Sequence, residues 1–241
     1  MMKLIALVIF LTTAHCIYSQ SYVDSGIQHF AKEEYEEAMV DFNNAIDIQD
    51  MLTESSKAKI YYYRGMIWLK RAEDSKGNYA EENPVHQAHE DLIKATELDN
   101  SWEPHVKDAF VKLNRFLLDE AENYLKLEKK ADGIDERTSL LDKRIQYLER
   151  AKELEVSSMI DLYLGQTNKQ AGDIIFDNTT NVTVMQRAKA YYEAALIHYE
   201  IARYDDPFSK DIIEALLTIS KRLGDVDRIA EYEKLLELAG G

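Results

Sequence analysis

One spacing recurs along this chain and limits what it can fold into. Ala38, Phe42, Ala45 and Asp50 return as Ala195, Tyr199, Ala202 and Pro207, and more loosely as Ala88, Leu92, Ala95 and Asn100. Two small residues seven apart with a large one between them lie along one face of a helix. The small positions let a neighbouring helix come close, and the large one fills the hole between them. Such a face, returning along a chain, is the signature of stacked helix hairpins, in which each unit covers the core of the next. An array of this kind presents a wall on which other polypeptides are held, and it carries no chemistry of its own.

Length leaves the architecture open, since 241 residues with 46% hydrophobic content suit one or two globular domains or one solenoid. Pattern decides for helix throughout. Glycine (9) and proline (3) are sparse, and stretches rich in Ala, Glu, Lys, Leu and Tyr run long between breakers. No segment reads convincingly as a strand. The formal charge of −15 repels nucleic acid phosphates and anionic headgroups, over a Debye length of roughly 8 Å at physiological salt. Nucleic acid is therefore not an expected partner.

The first nineteen residues read as an address. Lys3 gives a short positive start, Leu4 to Leu11 is an unbroken apolar run, and small or polar residues follow at Thr12, Thr13, Ala14 and Ser19. The pattern is that of a secretory signal over 1–19, with cleavage after Ser19. The apolar run falls well short of the roughly 20 residues a membrane helix needs, so no stable membrane insertion of the mature chain is expected. A mature chain starting at Gln20 resembles exported proteins of the Bacteroidota group, which implies the periplasm or cell envelope; secretion is the alternative. Cys16 raises lipid anchoring as a further alternative, although His15 stands where bacterial lipoproteins carry a small residue. Without the leader the chain has no cysteine, so packing alone must stabilise it in an oxidising compartment.

The remainder, 20–241, divides into helix pairs with approximate units 20–50, 55–100, 102–156, 157–207 and 208–241, about ten helices in all. The first pair is Tyr22 to Lys32 and Tyr35 to Ile48, turning at Glu33 and Glu34, with Gly26 where the two helices approach. The second sets Tyr61, Gly65 and Trp68 against Val85, Ala88, Leu92 and Ala95, across a polar turn from Glu73 to Asn83 with Pro84 opening the next helix. The third is least regular. It runs from about Pro104 to Lys130, turns around Gly133, and continues through Leu141, Leu148 and Ala151, with Arg144 at a position that is small elsewhere. The fourth pairs Met159 to Phe176 with Val184 to Tyr204, and the last pairs Phe208 to Leu223 with Val226 to Ala239.

Tyr22, Gly26, Tyr35, Ala38, Phe42 and Ala45 occupy the positions that define a tetratricopeptide repeat, and on them the chain resembles that family. The interval from Ala202 to Leu236 is 34 residues, the family's period, whereas Ala45 to Ala95, Ala95 to Ala151 and Ala151 to Ala202 are 50, 56 and 51. The resemblance implies an all-α, helix-hairpin repeat solenoid, a TPR-like superhelix. It also implies that the first helix of each hairpin lines a concave face. Carried over residue by residue, that face holds Val23, Ile27 and Phe30 from the first unit and Tyr62, Met66 and Leu69 from the second. Family members that grip acidic C-termini use Lys and Asn where Val23 and Ile27 stand, so the expected groove takes an apolar or aromatic peptide or helix.

Other patterns are weaker. Tyrosine is frequent (15), and helical spacing sends Tyr61, Tyr192 and Tyr199 to inter-helix packing, leaving Tyr62 and Tyr63 as surface candidates. His86, His89 and Glu90 share a face at a spacing able to hold a metal. They are better read as a solvated face, and neither metal nor cofactor is expected. Asn178 to Thr180 and Asn181 to Thr183 are acceptor sequences for N-linked sugar that also suit a polar turn. No Gly-rich phosphate loop, nucleophile turn or zinc-protease helix is found, and the carboxylates are spread over helix faces.

The expectation is a non-catalytic, exported protein–protein interaction scaffold, binding an unidentified protein or peptide and monomeric on account of its polar last helix. The alternative is a self-associating structural module of an envelope assembly.

Overall fold

A computed structural model describes residues 20–75, 84–154 and 157–239. Within them lie ten helices and no strand. They are α1 (20–31), α2 (Tyr35–Asp47), α3 (Glu54–Ser75), α4 (Pro84–Leu98), α5 (Glu103–Glu128), α6 (Ile134–Leu154), α7 (Ser158–Asn178), α8 (Val182–Asp205), α9 (Lys210–Leu223) and α10 (Val226–Ala239). Short 3-10 turns occupy Gln49–Met51 and Asn100–Trp102. The expected secretory signal over 1–19, with Cys16, lies outside the described residues. The chain is all-α and built of helix hairpins. It forms two compact units, Met1–Leu113 and Asn114–Gly241, with the boundary inside α5.

The repeated spacing has a direct structural cause. Its large residue is seated each time on a glycine of the preceding helix. A β-carbon at Gly26 of α1 would stand 2.6 Å from the Phe42 ring on α2, and one at Gly65 of α3 would stand 2.8 Å from Leu92 on α4. In the second unit Gly165 and Gly172 of α7 would meet Tyr199 and Tyr192 of α8 at 3.0 and 2.8 Å. These distances leave room for a hydrogen and nothing larger, which is why the spacing pairs glycine with a bulky partner. Phe42, Leu92, Tyr192 and Tyr199 are all buried, as are Ala38, Ala45, Ala88, Ala95, Ala195 and Ala202.

Arg144 breaks the pattern at the position equivalent to Ala38, Ala88 and Ala195. It is buried on α6, its Nε finds no hydrogen-bond partner, and burial lowers its pKa against the opposing pull of Glu122, Tyr163 and Glu128. The second unit compensates with polar cross-links between helices. Buried Asp161 on α7 accepts from Lys152 Nζ of α6 and meets His198 Nδ1 of α8, each at 2.7 Å. Buried Glu128 at the end of α5 accepts from Arg137 Nε of α6 at 2.7 Å and from Gln170 Nε2 of α7 at 2.9 Å.

Helix ends follow local chemistry. Glu33 takes the left-handed conformation (φ 63°) that turns α1 into α2. Gly224 does so (φ 72°) between α9 and α10, where its own N–H and that of Asp225 cover the carbonyls of Lys221 and Ser220. Asn181 caps α8 by accepting from Thr183 N–H at 2.9 Å. Several boundaries depart from the sequence reading by two or three residues, among them those of α3 and α9. α3 continues through Ser75, past the expected turn start at Glu73, and 76–83 lies outside the described residues. α9 starts at Lys210 with Ser209 as its first boundary residue, so Phe208 stands before the helix and is exposed; Pro207, lacking an N–H and fixed in φ, ends the preceding segment there.

Candidate partner-binding face

The six residues expected to line a groove divide by burial. Val23 and Leu69 are buried, and as groove residues they are corrected to core. Val23 lies three residues before Gly26 on the face of α1 that closes onto Phe42. Leu69 lies four residues after Gly65, on the arc of α3 that packs against Leu92, and this arc also buries Ile67, Trp68 and Ala72. The close approach at each glycine draws its neighbours on the same face into the core. Ile27, Phe30, Tyr62 and Met66 are half-buried.

Phe30 and Tyr62 are joined through Tyr63, and the row continues to Trp102, which the resemblance did not place on the face. The Phe30 ring centroid lies 4.9 Å from Tyr63, Tyr63 lies 5.3 Å from Tyr62, and Tyr62 lies 4.9 Å from Trp102. His105, exposed on α5, closes the row at 5.3 Å from Trp102 and 6.1 Å from Tyr62. Tyr35 meets Phe30 edge-on at 5.6 Å, and Phe42 stacks on Tyr63 from below at 6.0 Å. Each such pair contributes about 0.5–1.5 kcal/mol beyond its buried area, so the row is stiff. Underneath, Tyr62, Met66 and Trp102 pack on Leu92, Ala95, Val106 and Ala109. Burial, with Tyr63 and Asp108 nearby, raises the Tyr62 pKa, so its phenol stays protonated and able to donate.

Residues from four elements thus form one half-exposed aromatic surface on the first unit: α1 gives Phe30, α3 gives Tyr62, Tyr63 and Met66, the Asn100–Trp102 turn gives Trp102, and α5 gives His105. Rigid aromatic rings with one flexible thioether are the composition of binding hot spots. Tyr63 was legible as a surface candidate. Trp102 was not: it falls just after the Asn100 that closes the repeated spacing, and only a fold that returns α5 beside α3 brings it to Tyr62.

The other singled-out residues go elsewhere. Tyr192 and Tyr199 are core, and Tyr61 is half-buried against the Leu92 cluster. His86 Nε2 sits 3.1 Å from Glu90 Oε1, while the His89 ring lies 5.6 Å from Phe110, so the two imidazoles turn to different neighbours. Among the described residues no helix is long and apolar enough to cross a membrane.

No protein-family model and no curated protein sequence matches the chain. A solved structure described as the functional characterization of Pseudomonas aeruginosa pilF aligns with 95% of this chain and 95% of its own, at 15% identity and a TM-score of 0.29. A likeness that distant carries no weight beside the geometry above. The helices and their glycine contacts define the class: an all-α protein of helix-hairpin repeats.

Proposed function

We propose that this protein is a non-catalytic interaction scaffold of the tetratricopeptide type, exported to the cell envelope, whose aromatic face on α1, α3 and α5 takes the apolar side of a partner peptide or helix. The observation that carries the proposal is the row Phe30, Tyr63, Tyr62, Trp102: four rings in sequence, fixed from beneath and half-open above. Apolar anchors at helical spacing on a partner suit such a surface. Envelope localisation rests on the leader-like residues 1–19. Alanine at Tyr62 and at Trp102, each with thermal unfolding in parallel, tests the reading. Partner recovery is expected to fall at least tenfold, by about 2 kcal/mol per hot-spot residue. Lost stability with recovery unchanged would reduce the row to core packing.

A second reading, self-association, is favoured by the outward stripe of α8, where Ile197, Ile201 and Tyr204 are exposed at helical spacing. Light scattering during gel filtration decides: a single copy of the chain supports the scaffold, and a stable dimer supports the alternative.

A further inference from the structure

We propose that a small cleft at the C-terminal ends of α7 and α9, closed on its third side by the first half of α8, binds a free one-ring aromatic carboxylate. The cleft lies within the second unit and shares no residue with the aromatic face of the first.

Three elements supply it. α7 gives Phe176, α8 gives Met185, Lys189 and Tyr192, and α9 gives Arg222 and Leu223. The three α8 residues fall at i, i+4 and i+7, so they stand along one face of that helix. The space measures about 190 Å3. A cavity of about 150 Å3 holds benzene, so this one has room for a single ring with its carboxylate. It is too small for a nucleotide or a stretch of polypeptide.

The apolar part of the lining is aromatic. Tyr192 is buried and donates its hydroxyl to Asp173 at 2.8 Å, so it offers the cleft a ring and not a free donor. Phe176 meets that ring edge-on, with centroids 6.2 Å apart and planes at 62°. Half-buried Met185 and Leu223 complete the lining. Rings beside a flexible thioether suit a flat aromatic guest.

The charged part runs against the balance of the chain. Acidic residues outnumber basic ones 44 to 29 over the sequence, yet the six described residues lining the cleft include two cations and no carboxylate. Arg222 lies over the Phe176 ring with Cζ 4.2 Å from the centroid, and its Nη2 pairs with Asp177 Oδ1 at 2.8 Å. Stacked on one face and fastened at one nitrogen, the guanidinium is held before a ligand arrives, and its fork carries further N–H donors for a carboxylate. The acidic partners do not cancel these cations. Asp177 and Glu193 are each more than half exposed, and Glu193 stands 3.7 Å from Lys189 Nζ, beyond hydrogen-bond range. Exposed pairs of this kind are weak and exchange readily for a ligand. A neutral ring would cover the two cations and give them nothing in return, and a carboxylate without a ring would leave Phe176 and Met185 wet.

The test is an amide-resolved NMR titration of the isotope-labelled full chain with phenylacetate, beside phenylacetamide, which has no charge, and acetate, which has no ring. Phenylacetate is expected to bind with a Kd of about 0.1–1 mM and to shift amides of α7, α8 and α9, with the other two at least about tenfold weaker. Lys189→Glu reverses an exposed charge and Arg222→Gln removes the fork; either should weaken phenylacetate about tenfold in a chain whose circular dichroism is unchanged. Tyr62→Ala should leave its affinity as it is, which separates this site from the aromatic face. The proposal is overturned if phenylacetate shifts no amide of these helices, if phenylacetamide or acetate binds as tightly, or if both charge variants leave the affinity unchanged. It is also overturned if an acetylated peptide ending in Phe binds about tenfold more tightly than phenylacetate, which would make the occupant a chain terminus.

Discussion

At Gly65 a single hydrogen occupies the only space between α3 and α4. Gly65→Ala would put a β-carbon 2.8 Å from Leu92 Cγ and 3.3 Å from the Ala88 carbonyl, and fully buried Leu92 has nowhere to go. Overpacking of this kind costs about 1–3 kcal/mol, against a helix-propensity gain of about 1 kcal/mol, so urea unfolding should show a net loss. Arg144 is the opposite case. A guanidinium buried with an unpaired Nε is more expensive than a hydrophobe of similar length, and Arg144→Met is expected to be neutral or to raise stability by about 1 kcal/mol in the same assay. Asp91 gives a pH signature. Burial raises its carboxyl to about 6, with Arg64 at 3.1 Å pulling the other way. The folded state therefore holds a proton that the unfolded chain releases near 3.8, and the stability this group supplies is present below that value and lost as pH rises towards 6. Asp91→Asn removes this dependence. Its stability relative to the parent should improve by on the order of 1–3 kcal/mol between pH 4 and pH 7; a pH-independent difference would contradict the assignment.

At the scale of elements, the ends of helices are set by single residues. Gly224→Ala meets no atom within 4 Å, so its effect isolates the left-handed backbone (φ 72°); a loss of about 1 kcal/mol is expected. The helix pairs were legible because glycine, alanine and a bulky residue at fixed spacing are a local record of close approach. Tyr192 and Tyr199 were read as core for the same reason, and they are. Val23 and Leu69 were misassigned because a helical face read alone does not show how wide an arc its neighbours cover. The aromatic row was half legible: Phe30 and Tyr62 follow from matching the repeats to the family they resemble, and Tyr63 is a surface candidate once helical spacing sends Tyr61, Tyr192 and Tyr199 to packing. Trp102 and His105 reach Tyr62 only by tertiary folding, which no local pattern records.

For the whole molecule, the described residues are all-α, ten helices paired into hairpins over two compact units. The formal charge of −15 favours partners other than nucleic acid, and sparse cysteine leaves packing to hold the fold. The most direct measurement is photo-crosslinking in intact cells of the source organism. A photoreactive phenylalanine replaces exposed His105 at the rim of the aromatic row, with and without Tyr62→Ala and Trp102→Ala in the same chain, and the products are identified by mass spectrometry. The scaffold reading predicts one dominant foreign polypeptide, lost when the row is truncated while the chain remains folded. Crosslinks only to a second copy, or a product indifferent to the loss of Tyr62 and Trp102, would contradict it.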